Sequence, residues 1–502
     1  MSRVHSDKKI LPLLLRFPLP LPLIITVVLF LLSCGRPVNI SDAILNHKGN
    51  FYYVDFSNYP KNDATLPVGV FDSGTGGLSV LADIVQHKGL ANESYIYLGD
   101  LANMPYGSYS LENNNALLVE HVMKDVQFLL GHKYYRSGES PGPETDKKPV
   151  KAIVIACNTA TAYALDTVRQ FLQEAGLDMG VIGVVEAGAT GAFGNFSPGE
   201  NGTIAVFATD GTVRSGAFPK AIIARNMEDG QEELIQVFQQ AGIGIAEAID
   251  GTSDAIDINA RVPREGYRGP SDKAEGDLRI DRELWQRYDF STAEGELLFD
   301  GDITNPENIQ INSVENYIAF HVVSLMEKIR KSEGAMPLNS VVLACTHYPF
   351  YLETFRQEFN RLRDYTENGE YIYRRLIAED LIIVNPAEVV ANQLYELLED
   401  TNLLNTGISE GSEFFISVPN LRNKNVRLRD DGSFTYDYKY GRAAGDIQEY
   451  VRAVPFSRIS IPADILSRLS QQVPEVFKMM ASFNNDNYKT VYLKPEERIV
   501  TE

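Results

Sequence analysis

Two apolar runs in this chain end in the same way, and that ending restricts its fold more than any other feature. Ile153-Val154-Ile155-Ala156 runs into Cys157-Asn158-Thr159, and Val341-Val342-Leu343-Ala344 runs into Cys345-Thr346-His347. A short apolar run without polar alternation describes a strand buried on both faces, as in parallel sheets covered by helices. After Cys157 a helical pattern continues through Leu172. A similar unit occurs earlier: strand Val68-Gly69-Val70-Phe71, turn Asp72-Ser73-Gly74-Thr75-Gly76-Gly77, then a helix with Leu78, Leu81, Ile84 and Val85 on one face. Further strands are expected at 95–100, 181–185 and 203–207, and a long amphipathic helix over 111–130. Such alternation predicts an α/β fold, and the weak repeat predicts two similar lobes. Each lobe presents one thiol at the carboxyl end of a strand, where open α/β sheets bind ligands.

At 502 residues the chain exceeds one ordinary core and should divide into two or three packed units. Its formal charge of −21 repels a phosphate backbone, so no nucleic-acid partner is expected. Any membrane relation has to be local, and the start of the chain supplies it. Lys8 and Lys9 precede apolar runs at 10–15 and 17–32, the pattern of an export signal. Prolines 12, 18, 20 and 22 argue against one continuous spanning helix. The end Leu31-Leu32-Ser33-Cys34 resembles the lipobox of bacterial lipoproteins. It implies lipidation of Cys34 and a lipid-anchored place in the bacterial cell envelope, periplasm-facing or on the outer membrane. An uncleaved anchor, an ordinary cleaved signal and an incidental thiol at Cys34 are the alternatives.

The expected organisation is a signal peptide over 1–34, an Asn-rich tether over 35–65 and a first lobe over 66–180 completed by 349–402. A second lobe follows over 181–348 with a polar insertion at 251–316 that contains Trp285, and an extension over 403–502. The extension is expected to carry a β-hairpin and helix. Its strands would be 426–429 and 433–440 around Asp430-Asp431-Gly432, with Phe434, Tyr436, Tyr438 and Tyr440 on one face.

Three elements could do chemistry. The turn Asp72 to Gly77 lacks the Lys of a P-loop and the spacing of a dinucleotide fingerprint, so a carboxylate site is the better functional reading and a tight structural turn the bland one. Asp72 itself could be a simple helix cap. Cys157 and Cys345 could each be a small buried hydrophobe, or together one disulfide, but two thiols in equivalent settings point to chemistry. A thiol acts as a base only as thiolate, with an ordinary pKa near ~8.5 that a helix N-terminus or a nearby His lowers. His347, two positions after Cys345, fits that purpose. The other six histidines carry no ligand spacing, and no metal site is expected.

Taken together, these residues resemble the glutamate racemases. The resemblance lies in VGVFDSGTGGLSVL (68–81), LGDLANMPYG (98–107), IACNTATA (155–162), IGVVEAGA (182–189), ATDGTVRS (208–215), LACTHYPF (343–350) and VNPAEVVA (384–391). It implies two pseudo-symmetric, doubly wound lobes with parallel sheets facing across a cleft. It also implies racemisation of glutamate or a related acidic amino acid without cofactor or metal. Cys157 and Cys345 would flank the substrate Cα as opposed acid and base, supported by Asp72 and His347. Ser73, Pro105, Tyr106, Gly107, Asn158, Thr159, Thr209, Thr212 and Thr346 would bind the substrate, Thr209 and Thr212 being readable also as a structural turn.

The chain departs from the pattern in two places. Asp250 stands where the family carries a Glu, with Glu247 nearby, and Glu186-Ala187-Gly188 replaces Glu-Pro-Gly. The insertion could cover the cleft, bind a partner or restrict substrate size, and a homodimer is left open. Competing readings are a racemase for aspartate or another acidic amino acid, a non-catalytic amino-acid or wall-fragment binding lipoprotein, and a cysteine hydrolase. The last two do not require a second, equivalent thiol.

Overall fold

A computed structural model describes residues 39–197, 199–228, 234–302, 306–409 and 411–501. The expected export signal and Cys34 lie outside the described residues. Residues 39–65 do not form the tether expected from their composition. Helix α1 (Ile40–Asn46) starts on Asn39, whose Oδ1 accepts from the Asp42 amide at 2.8 Å. Its stripe of Ile40, Ala43 and Ile44 is buried, and Tyr52, Val54 and Tyr59 continue into the same core. Apolar residues at helical spacing outweighed a polar average.

In the first lobe the chain runs β1 (Val68–Asp72), α2 (Gly77–Gln86), β2 (Tyr95–Gly99), α3 (Asn115–Leu130), β3 (Ala152–Ile155), α4 (Asn158–Glu174) and β4 (Val181–Gly183). Strand β1 lies between β2 and β3, parallel to both, with Val68 opposite Tyr95 and Ala152. Every residue of β1 and β3 is buried, which is why these strands read as unbroken apolar runs. The chain leaves through α5 (Val184–Ala192). The second lobe then contains β5 (Gly202–Ala208), α6 (Asp210–Ser215), β6 (Ile235–Ala241), α7 (Ile245–Ile249), the hairpin β7 (Leu297–Phe299) and β8 (Ile309–Ile311), α8 (Val314–Lys331), β9 (Leu338–Ala344) and β10 (Ile377–Val384). Its sheet has the order β10-β9-β5-β6, parallel throughout.

Two boundaries differ from expectation. Strand β4 pairs with β3 and closes the first sheet, although residue 181 was expected to open the second lobe. Strand β10 pairs with β9, although it falls in the segment expected to complete the first lobe. An apolar strand carries no mark of which sheet it joins. The return to the first lobe begins only with α9 (Pro386–Asp400), where Val390, Leu394 and Leu398 are buried in the first core.

The extension then enters the first sheet. Strand β11 (Glu413–Pro419) adds parallel to β2, and β12 (Val451–Pro455) pairs antiparallel with β11, giving the order β12-β11-β2-β1-β3-β4. The hairpin expected over 426–440 is reduced to its turn, where the Arg429 amide donates to the Ser433 carbonyl and the Thr435 amide to the Arg427 carbonyl. Leu428 and Phe434 form an isolated bridge, and α10 (Tyr436–Tyr440) follows. Phe434 and Tyr438, four residues apart, pack with Tyr450, while Tyr436 is 49 % exposed. Helices α11 (Ala463–Gln472) and α12 (Pro474–Asp486) complete the extension.

The insertion packs on the outer side of the second lobe. Tyr288 stacks between Phe290 and Phe320 of α8, at 4.8 and 5.5 Å. Arg287 Nη1 lies 2.7 Å from Glu327 Oε1 on α8. No described helix is long and apolar enough to cross a membrane.

Candidate active site

The carboxyl ends of both sheets open into one cleft of about 510 Å³. Asp72 ends β1, and its buried carboxylate accepts from the amides of Gly74 at 3.1 Å and Gly77 at 2.9 Å. It therefore caps α2 and closes the glycine turn, so two amides of the expected anion cradle are already used. Gly77 is obligatory there, because a Cβ would lie 2.6 Å from Asp72 Cβ and 2.9 Å from Ala156 Cβ. Burial raises the Asp72 carboxyl above its ordinary range, against the amides of Gly77 and Gly74.

Cys157 follows β3 and is the N-cap of α4. Its thiol donates to Ser73 Oγ at 3.6 Å, and its sulfur accepts from the Ala160 amide at 3.5 Å. The helix N-terminus was expected to favour a thiolate here. Burial and the neighbouring Asp72 carboxylate outweigh it and push the thiol up to about 12.

Cys345 follows β9, but no α-helix starts at it. A 3-10 turn (Tyr348–Tyr351) intervenes, so the second cysteine lacks the helix terminus expected for both. His347 provides the local charge instead. Its Nδ1 lies 3.6 Å from Cys345 Sγ, and its Nε2 lies 3.2 Å from Asp250 Oδ1. Burial works against a charged imidazole, but Asp250 and Cys345 prevail and raise His347 to about 10. The imidazolium stands where negative charge on Cys345 Sγ would be balanced.

The lobes meet beside these sulfurs. Asn158 Nδ2, after the first cysteine, donates to the Ala344 carbonyl, before the second, at 3.0 Å. A Cβ on Gly76 would lie 2.9 Å from Thr346 Oγ1 of the opposite lobe. Pro105, Thr159, Thr209 and Thr212 also line the cleft, with Thr209 Oγ1 donating to Thr212 Oγ1 at 3.1 Å. A second cavity of about 260 Å³ backs onto the cleft and shares Asn158, Cys345 and Thr346 with it.

Two expected substrate contacts are not on the wall. Tyr106 is 1 % exposed, and its hydroxyl lies 2.6 Å from carboxylate oxygens of both Asp100 and Asp125. Gly107 begins a short helix (Gly107–Leu111) outside the cleft lining. The described residues of the insertion do not line it either. Covering the cleft was one of the roles open to the insertion; here α11 contributes to the wall, through Ile465, Arg468, Leu469 and Gln472. Arg468 Nη1 lies 3.2 Å from Asp250 Oδ2. Nothing in the local sequence of α11 announces this, because its placement depends on β11 and β12. Among the described residues no group of three His, Cys, Asp or Glu side chains could hold a metal ion.

Two sheets, one parallel throughout and one parallel but for its edge strand β12, each give one unpaired thiol to a shared cleft and define a two-lobed α/β protein with facing cysteine loops. No protein-family model matches the chain. It is 35 % identical over 199 residues to the glutamate racemase of Lactobacillus acidophilus, covering 40 % of this chain and 61 % of that protein. It is 36 % identical over 161 residues to the glutamate racemase of Geobacter metallireducens, covering 32 % and 48 %. The chain thus spans about half to three fifths of the length of these curated relatives. Among solved structures, a glutamate racemase isoform from Bacillus anthracis aligns over 71 % of this chain and 89 % of its own, at 22 % identity and a TM-score of 0.41. Over about two fifths of its length or less the chain is thus similar in sequence to glutamate racemases.

Proposed function

We propose that the protein racemises glutamate, or a closely related acidic amino acid, by moving a proton between two thiols on opposite faces of Cα. The supporting observation is that Cys157 and Cys345, one from each lobe, are both unpaired and both line one cleft in unlike electrostatic settings. Inversion needs a base on one face and an acid on the other. Cys345, with His347 Nδ1 3.6 Å from its sulfur, is assigned the base. The surroundings of Cys157 suit the proton-bearing thiol. The Cys345 thiolate takes the Cα proton, the electron pair left on Cα takes the proton of Cys157, and the two sulfurs exchange roles. The reverse reaction starts from the exchanged state. Hydroxyl and amide donors of Ser73, Asn158, Thr159 and Thr346 suit the carboxylate on which charge develops.

The test is incubation with L- and D-glutamate in D₂O, alongside aspartate, following deuterium at Cα and optical rotation. Wild type is expected to incorporate solvent deuterium and drive either enantiomer toward the racemate. Cys157→Ser and Cys345→Ser are each expected to lose about 10²–10⁴-fold or more in kcat. Absence of exchange with every acidic amino acid overturns the reading.

We further propose that Cys34 carries a lipid that anchors the protein in the cell envelope, supported by the apolar run ending in Leu31-Leu32-Ser33-Cys34. Incorporation of labelled fatty acid by the full chain, lost in Cys34→Ala, is the expected result. Equal labelling of both overturns it.

A further inference from the structure

The extension gives the cleft its one arginine among the described residues. Of the charged side chains on the wall, Asp72, Glu247 and Asp250 are acidic, and only His347 and Arg468 are basic. His347 is already engaged between Cys345 and Asp250. Three carboxylates would repel an incoming dicarboxylate unless a cation offset them. Arg468 is held by a single contact, Nη1 to Asp250 Oδ2 at 3.2 Å, with its side chain 28 % exposed. A guanidinium presents five N–H donors in a planar fork, so one contact leaves an edge open to a carboxylate. The two oxygens of Asp250 are divided between His347 and Arg468, which fixes the arginine relative to the Cys345 side of the cleft. Meanwhile Tyr106 and Gly107 lie off the wall, so the second carboxylate of a substrate has no partner from them.

We propose that Arg468 binds the side-chain carboxylate of the substrate and thereby selects acidic amino acids over neutral ones. The inference rests on the racemase reading and deepens it, assigning part of substrate choice to the C-terminal extension.

Glutamate and glutamine, nearly equal in shape and different in charge, form the test pair. In calorimetric binding to the full-length protein, Arg468→Gln is expected to weaken glutamate at least tenfold and to narrow the glutamate-over-glutamine preference by a similar factor. In Cα deuterium exchange the same narrowing should fall on KM for glutamate. Arg468→Lys, which keeps the charge without the fork, is expected to recover part of the preference and serves as the folded control. An unchanged preference overturns the proposal. So does an equal loss of kcat for both amino acids, which would make Arg468 a positioning residue acting through Asp250 and His347. Discrimination by wild type in binding without any Cα exchange would instead overturn the racemase reading and leave the arginine's role standing.

Discussion

Cys157 and His347 carry opposite electrostatic instructions within one cleft. Burial and Asp72 keep the Cys157 thiol protonated up to about 12, whereas Asp250 and Cys345 keep His347 charged up to about 10. Below about pH 10 the imidazolium is present, and above it the charge facing Cys345 is lost. The rate is therefore expected to fall on the alkaline side with an apparent pKa near 10. Asp250→Asn removes a group that raises His347 and should move that limb to lower pH in a kcat/KM profile. A limb that stays in place would show that His347 does not govern it. Gly77→Ala forces a methyl group to within 2.6 Å of Asp72 Cβ, at an expected cost of ~1–3 kcal/mol in a denaturant titration. The residues that end strands, Asp72, Cys157 and Cys345, could be read from the sequence because strand ends are local events. Tyr106 could not, since its burial depends on Asp125 of α3. Neither could the ionisation of Cys157, because burial is a property of the whole lobe.

Among elements, the insertion is fastened to α8 by charge as well as by stacked rings. Burial alone would raise Glu327, but hydrogen bonds from Arg330 and Tyr373, with Arg287 nearby, hold it down to about 2. A depressed carboxyl contributes stability that is present above its unfolded value, near ~4.3, and lost as pH falls through the folded one. Wild type is thus expected to lose stability between about pH 4.5 and pH 2 through this group. Glu327→Gln should be destabilised by ~3–5 kcal/mol at neutral pH, with a flatter acid dependence. Equal midpoints in urea at pH 7 would contradict this. The segment 433–440 illustrates where element reading fails. Aromatic residues at 434, 436, 438 and 440 fit a period of two, yet only Phe434 lies in the antiparallel bridge, whereas Tyr436 and Tyr440 also fit a helical spacing of four and stand in α10, with Tyr438 packed against Phe434 and Tyr450. The true partner strands, β11 and β12, have no tight turn between them and so gave no local signal.

In the whole molecule, the extension is structural tissue of the first lobe. Phe414, Phe415, Ile416, Phe456, Met480 and Phe483 are all buried in that core. At ~1.5–3 kcal/mol each, six such side chains contribute roughly 9–18 kcal/mol, comparable to the ~5–15 kcal/mol net stability of a domain. A chain ending at residue 402 is therefore expected to lack a cooperative thermal transition by circular dichroism. Retention of a wild-type melting curve would refute this. The two-lobed plan was legible in the sequence because each lobe repeats strand and helix. The interleaving was not, because β4 and β10 carry no mark of which sheet they join and the partner of β11 lies hundreds of residues earlier. The path of the chain carries a consequence for biogenesis. The second lobe, from α5 to β10, is one uninterrupted stretch and can condense while synthesis continues. The first must wait, with the edge of β2 uncovered, until residues 413–419 have left the ribosome. The nascent protein thus holds an open sheet edge until then, and a chaperone acting at that stage would guard this edge rather than the cleft between the lobes.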